Sequence, residues 1–277
     1  MTIDFITGDK FKALGDYVYA PDVKKDGDYD NLVNTLDCRL LEDHDIVYTH
    51  TMYAKQLFGV IESVDKKLII ITHNSDMNID ESFILPDNVI KWYAQNVNVI
   101  NPRIKSIPIG LENDRWFTDI HKKEKMIAKL REPRNYRNLV YMNHNISTNP
   151  AKRLIPYGVL ENKPWVTPER GVNGHRFDEY LDNIYNHKFV VCPEGNGIDT
   201  HRIWECLYMG SIPIVENNIS AELLYSYFPC CIAYDGWGAI TDNRLYGEFK
   251  EIQDIKTWFD GADMLTFEYW KNKITGK

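Results

Sequence analysis

The chain has 277 residues, 44% apolar and 26% charged, the balance of an ordinary globular protein with room for two domains or one large α/β domain. A formal charge of −8 argues against a surface built for nucleic acid, and no stretch reaches the roughly 18 consecutive apolar residues of a membrane span. Five cysteines without CxxC or CxxxH spacing do not suggest zinc. With no signal-peptide pattern in MTIDFITGDKF, they point to reduced thiols in a cytoplasm.

In chain order, TIDFIT (2–7), DIVYTH (45–50) and KKLIIITH (66–73) read as strands, and KWYAQN (91–96) and KSIPIG (105–110) as shorter ones. Between them TMYAKQLFGVIESV (51–64) reads as a helix, with Leu57, Val60, Ile61 and Val64 on one side. Asp26-Gly27-Asp28 spells the Asp-x-Asp of metal-dependent glycosyltransferases. It lies in the polar run VKKDGDYDN rather than after an apolar strand, so no metal site is expected there.

The pattern restarts after the Pro-containing segment at 132–134. Residues 121–137 carry seven Lys/Arg against two Glu, which reads as a solvated helix plus linker or, more sharply, as a phosphate-contacting patch. LVYMNHN (139–145), KFVVCP (188–193) and SIPIVE (211–216) read as strands and CIAYD (231–235) as a late one, while PWVTPE (164–169) is ambiguous. FDEYLDNIYNHK (177–188), residues 200–209, SAELLYSYFP (220–229) and the tail from Glu251 read as helical. Two α/β halves result, 1–135 and 136–277, the second ending in a helix that can pack back on the first. In open parallel sheets the important residues lie just after strands.

The stretch CPEGNGIDTHRIWECLYMGSIPIV (192–215) is one such place. Gly195 and Gly197 loosen the turn, Asp199 or Thr200 can cap the following helix, and Arg202 stands in its first turn. His201 and Glu205, four apart, share a face; Ile203, Cys206 and Leu207 can face the core, and Gly210 ends the helix. A helix N-terminus with a fixed cation suits a diphosphate leaving group. No GxGxxG follows an early strand, which argues against a dinucleotide enzyme.

This run resembles the signature of exostosin-like glycosyltransferases: a Pro-x-Gly turn, Asp-Thr-x-Arg-x-(Trp/Phe)-Glu, and a Gly-x-Ile-Pro-(Val/Ile) strand. More loosely it is similar to the α1,3-fucosyltransferases, whose Thr-Glu-Lys falls at Thr200-His201-Arg202. There the Glu contacts ribose and the Lys phosphate. His201 departs from that pattern, which leaves the ribose to Glu205 or Asp199. The resemblance implies a GT-B-like α/β fold, two Rossmann-like domains with a donor cleft between them. It also implies an inverting, metal-independent transfer with no cofactor, from a nucleoside-diphosphate sugar, UDP-linked by expectation, to a hydroxyl of a glycan or small glycoside.

The donor would be held by Glu194, Gly195, Asn196, Gly197, Asp199, Thr200, His201, Arg202 and Glu205. YMNHNISTNPAKR (141–153) is similar to the Asn/Ser-rich turn of the fucosyltransferases, which adds Asn143, Asn145 and Thr148 and makes Arg153 the diphosphate contact. A general base is needed for the acceptor hydroxyl. Asp76 and His73, after KKLIIIT, rank first, with Arg202 as the catalytic cation; Glu112, Asp114 and His50 follow. Two alternatives stand beside this reading. One is sugar transfer to hydroxymethylated bases of phage DNA through Lys122, Lys123 and Lys125; the other is a non-catalytic nucleotide-sugar or glycan-binding module.

Overall fold

The structure, a computed structural model, describes residues 3–20, 36–116, 121–169, 177–233, 235–251 and 263–276. Asp26-Gly27-Asp28 lies outside the described residues. The chain forms two five-stranded, wholly parallel sheets. The first comprises β1 (Tyr17–Ala20), β2 (Ile46–His50), β3 (Leu68–His73), β4 (Val89–Ala94) and β5 (Ile104–Ser106), in spatial order identical to chain order. The near-continuous apolar runs of β2 and β3 are those of strands covered on both faces. Residues 3–7 are not a strand. Phe5 and Ile6 are buried, but only Thr7 makes a bridge, to Leu111, and β1 takes the sheet edge instead.

The second sheet comprises β6 (Asn138–Met142), β7 (Val166–Pro168), β8 (His187–Val191), β9 (Ile212–Glu216) and β10 (Cys231–Ala233). Its order is β7-β6-β8-β9-β10. The chain winds one way from β6 to β7, then returns past β6 to β8. The loops after β6 and β8 therefore flank a topological switch point, where an open sheet presents a crevice at its carboxyl edge. The first sheet, sequential in order, has no such point.

In the first half the helix Ala54–Ile61 buries Ala54, Leu57, Phe58 and Ile61. Phe58, not Val60, completes the stripe; Val60 is 38% exposed because it falls outside the arc set by Leu57 and Ile61. The helix His201–Tyr208 after β8 buries everything from Ile203 to Tyr208. It ends at Gly210, whose φ of +69 suits a residue without Cβ, and the Arg134 guanidinium caps the carbonyls of Met209 and Gly210. The largest apolar cluster draws from both halves, including Phe5, Tyr93, Tyr141, Trp204 and Trp270. The C-terminal helix, Phe267–Thr275, bonds to the first half through Phe267 N to Asp4 O at 3.0 Å and Tyr93 Oη to Lys273 O at 3.1 Å. No described helix is long and apolar enough to cross a membrane.

Candidate donor site

After β6, Asn143 and His144 are buried, and a short turn leads into the helix Pro150–Leu160. Asn145 is exposed; its side chain accepts from Ser147 N at 3.0 Å, and its own carbonyl accepts from Arg153 Nη1 at 3.0 Å. Arg153 Nε donates to Glu194 O at 2.9 Å, in the turn after β8. That turn is closed by Gly195 N to Gly197 O at 2.9 Å and by Asn149 Nδ2 to Gly195 O at 2.7 Å. A Cβ on Gly195 would stand 3.0 Å from Arg153 Nη2 and 3.3 Å from Thr200 Cγ2, so glycine lets guanidinium and backbone close up.

Arg202 enters from the first turn of the next helix. It donates to Asn143 Oδ1 and lies 5.2 Å from the Tyr180 ring centroid. Neither Arg153 nor Arg202 has a carboxylate partner among the described residues. Burial first, then the Arg202 charge, lowers the Arg153 pKa. Two neighbouring guanidiniums without an ion-paired carboxylate suit an anion. Asn143 Nδ2 and His144 Nδ1, on side chains that bond to Arg202 and to the Arg153 carbonyl, and Thr200 Oγ1, two positions before Arg202, are buried without hydrogen-bond partners. Thr200 is also the N-cap residue, yet its side chain makes no capping bond; Ile203 N donates to Thr200 O at 3.0 Å, and the positive end of the helix still faces the turn.

Other expected donor contacts have different employment. Asp199 is 3% exposed and belongs to the joint between the halves. Its carboxylate accepts from Ile109 N at 2.7 Å, Trp204 Nε1 at 2.8 Å and Tyr225 Oη at 3.1 Å, and Asn96 Oδ1 accepts from Asp199 N at 2.8 Å. Gly197 yields to the same joint, since a Cβ there would meet Asn96 Nδ2 at 2.6 Å. Replacing Asp199 by Asn turns an amide NH₂ toward one of three donors, and a loss of about 1–3 kcal/mol is expected in urea unfolding. Unchanged stability would show the joint to be dispensable.

Glu205, also buried, pairs with Lys122 at 2.6 Å and accepts from Tyr180 Oη. Burial raises its pKa, but Lys122 and Tyr180 outweigh that and hold it at about 2. Glu194 keeps a place beside the site. Asn218 Nδ2 donates to it at 3.0 Å, and Lys152 stands 3.3 Å from it and 2.7 Å from Glu216. Burial, then the Glu216 charge, raises the Glu194 pKa. Glu216, Lys152 and Asn149 escaped the sequence reading. Glu216 ends β9 and could have been found by the same end-of-strand rule. Thr148 and Asn196 are exposed at the rim.

His73 does not present a free base. It is 1% exposed, stacks on Phe11, bonds through Nε2 to Pro108 O at 3.0 Å, and accepts at Nδ1 from Asn74 N at 2.7 Å. Asp76 is exposed on the following loop, close enough for its charge to act on the His201 ring. The geometry thus gathers Arg153, Arg202, Asn143, Thr200 and Glu194 around one crevice, with His201 and Asp76 at its first-half side. Among the described residues no group of three or more His, Cys, Asp or Glu is arranged to hold a metal ion.

Residues 115–227 match the family model of the RXYLT1 C-terminal domain. This is an exostosin-like family, and the matched segment, which holds both arginines and the run 192–215, is similar to it. A search of curated proteins gives no match. Among solved structures, the crystal structure of an α1,3-fucosyltransferase aligns with a TM-score of 0.41 and 15% identity, over 79% of this chain and 67% of the other. The GtfA/B complex aligns with a TM-score of 0.35 and 13% identity, over 86% of this chain and 55% of the other.

The buried histidines give the protein a pH dependence. Burial above all lowers His73 to about 4 and His144 to about 3. An unfolded imidazole takes its proton near 6.5, so below that pH the unfolded chain binds more protons and stability falls. At pH 5 this amounts to about 2 kcal/mol for each ring. Asp199 works in the opposite sense. Burial raises it to about 7, so the folded state binds the extra proton, and acidification from pH 7 to 5 returns about 2 kcal/mol. The two rings outweigh the one carboxyl. The urea midpoint is expected to drop between pH 7 and pH 5, and a flat or rising midpoint would contradict the neutral, buried state of both rings.

Proposed function

We propose that the chain is a metal-independent, inverting glycosyltransferase that takes a nucleoside-diphosphate sugar, UDP-linked by preference, and transfers the sugar to a hydroxyl of a glycan or small glycoside. Residues 136–277 would hold the donor and residues 1–135 the acceptor side. The observation that carries this is the pair Arg153 and Arg202, held together at a switch-point crevice with no carboxylate partner among the described residues. Their charge and the helix N-terminus suit the diphosphate as the sugar–phosphate bond breaks. Glu194, whose carbonyl accepts from Arg153 and whose carboxylate lies near Lys152 and Asn218, would accept from ribose hydroxyls.

The DNA-modifying reading is the less favoured alternative. Lys122 pairs with Glu205, Lys123 with Asp114 at 2.6 Å, and Lys125 with Asp178 at 3.0 Å, so these cations are already matched within the chain. The test is release of nucleoside diphosphate from UDP-, GDP- and CDP-sugars, with and without EDTA, and the anomeric configuration of any product. Turnover insensitive to EDTA with inversion supports the proposal. Binding of a nucleoside diphosphate without any turnover would favour the non-catalytic module.

A further inference from the structure

The proposed transfer needs a base on the side of the sugar opposite the diphosphate, and His73, with both ring nitrogens engaged, does not supply one. Resting on the donor-site reading, we propose that His201 is the general base, a catalytic residue that takes the proton from the acceptor hydroxyl or from water.

Three observations carry this. First, the ring is held in one tautomer. Nδ1 lies 2.8 Å from Gly110 O, and a carbonyl only accepts, so Nδ1 bears the hydrogen and Nε2 the lone pair. Gly110 is fixed in turn; its φ is +68, and a Cβ there would meet Ile6 O at 2.3 Å, so the carbonyl that orients the ring sits on a backbone only glycine fits. Second, Nε2 has no hydrogen-bond partner among the described residues, and the side chain is only half-buried, so the lone pair is available. This is the contrast with His73, where both nitrogens are engaged.

Third, the placement suits inversion. His201 and Arg202 are consecutive in a helix, and consecutive side chains point about 100° apart. Arg202 turns to Asn143 and Tyr180 in the second half, and His201 turns to Gly110 in the first. One helical turn thus offers a cation to the leaving diphosphate and a base to the opposite face. The charged and titratable groups around the ring are Glu205 and Arg202 on its own helix, Lys122 paired with Glu205, Asp76 and His73 from the β3 side, and Glu112 beyond Lys122. Burial, chiefly, lowers the His201 pKa, which leaves the ring neutral and able to accept a proton near pH 7.

In the step, the acceptor O–H bond breaks and its proton passes to His201 Nε2. The acceptor oxygen forms a bond to the anomeric carbon, and the carbon–phosphate-oxygen bond breaks with its electron pair leaving on the diphosphate. Asp76 stabilises the imidazolium and passes the proton to solvent.

The experiment uses nucleotide-sugar hydrolysis, which needs the same base and no known acceptor. It compares wild type, His201→Asn and Asp76→Asn. Asparagine can keep the hydrogen bond to Gly110 O while removing Nε2. Expected are unchanged thermal midpoints and nucleoside-diphosphate affinity within about threefold. For His201→Asn, kcat should fall by about 10²- to 10⁴-fold, with loss of the acidic limb of the pH–rate profile below the ordinary histidine range. Asp76→Asn should keep that limb and lose less rate. His201→Asn that hydrolyses within tenfold of wild type, or keeps the acidic limb, overturns the proposal. So does loss of nucleoside-diphosphate binding in that variant, which would make His201 a donor contact. If wild type itself binds no nucleoside diphosphate, the donor-site reading fails and this proposal falls with it.

Discussion

Arg202→Ala is expected to weaken nucleoside-diphosphate binding by roughly 30- to 150-fold, the equivalent of about 2–3 kcal/mol for charge-assisted hydrogen bonds. A further loss should appear in turnover, on the order of 10²- to 10³-fold, because the charge on the leaving diphosphate grows as the bond breaks. What separates this from a structural role is stability. Arg202 stands near Arg153 with no ion-paired carboxylate, and burial opposes the charge of both, although the Glu205 charge favours that of Arg202. Its removal relieves the burial cost and the repulsion of Arg153 but gives up the attraction of Glu205 and a donor to Asn143 Oδ1, terms of opposite sign. The unfolding free energy should therefore stay within about 1 kcal/mol of wild type. Arg202→Lys keeps the charge but loses the planar fork and the packing on Tyr180, so it should fall between the two. Isothermal titration and urea unfolding of the three proteins check this. An Arg202→Ala protein that binds normally but unfolds several kcal/mol more easily would make Arg202 a structural residue.

Glu205→Gln has the opposite signature. Glu205 and Lys122 have side chains 7% and 11% exposed, and the pair ties the second half to the helix Lys122–Lys129. The substitution takes from the Lys122 ammonium its carboxylate at 2.6 Å, while Glu112 stands farther off at 3.9 Å. Breaking one partner of a buried pair costs about 3–5 kcal/mol, because the remaining charge stays desolvated. In a chain of this size that corresponds to a fall of roughly 6–15 °C in the unfolding midpoint. The double variant Lys122→Met with Glu205→Gln should recover much of it, since no unpaired charge is left. Calorimetry of the single and double variants decides. Equal losses in both would mean that packing, not the charge, is at stake.

The two residues stand three apart in one helix, and their divergence shows what was legible in the sequence. The apolar runs gave β2, β3, β6, β8 and β9, and the run of acid, hydroxyl, imidazole and guanidinium gave the turn at the switch point. Arg153 and Arg202 could be placed there because an end-of-strand position needs no partner to be recognised. What each polar side chain touches was not legible. Asp199 looks like a cap or a ribose contact until Ile109, ninety positions away, is seen to claim its carboxylate. Gly197 looks like a phosphate-loop glycine until Asn96 is found against it. His73 follows a strong strand as a base should, yet the packing of Phe11 closes it off. The run at 2–7 alternates well enough for a strand, but only Thr7 finds a bridge, to Leu111. Each miss has one cause: the deciding partner lies far away in sequence.

The most direct test of the donor site is the thermal midpoint of the wild-type protein in a panel of UDP, GDP, CDP, ADP and NAD, with and without EDTA, repeated on Arg202→Ala. A ligand that binds only the folded state raises the midpoint in proportion to its saturation, by about 2.7 kcal/mol at one hundred times its Kd. A rise with one nucleoside diphosphate, UDP by expectation, unaffected by EDTA and absent in Arg202→Ala, is the expected result. No rise with any of them, on folded protein, or an equal rise in Arg202→Ala, would contradict a diphosphate site built on Arg153 and Arg202.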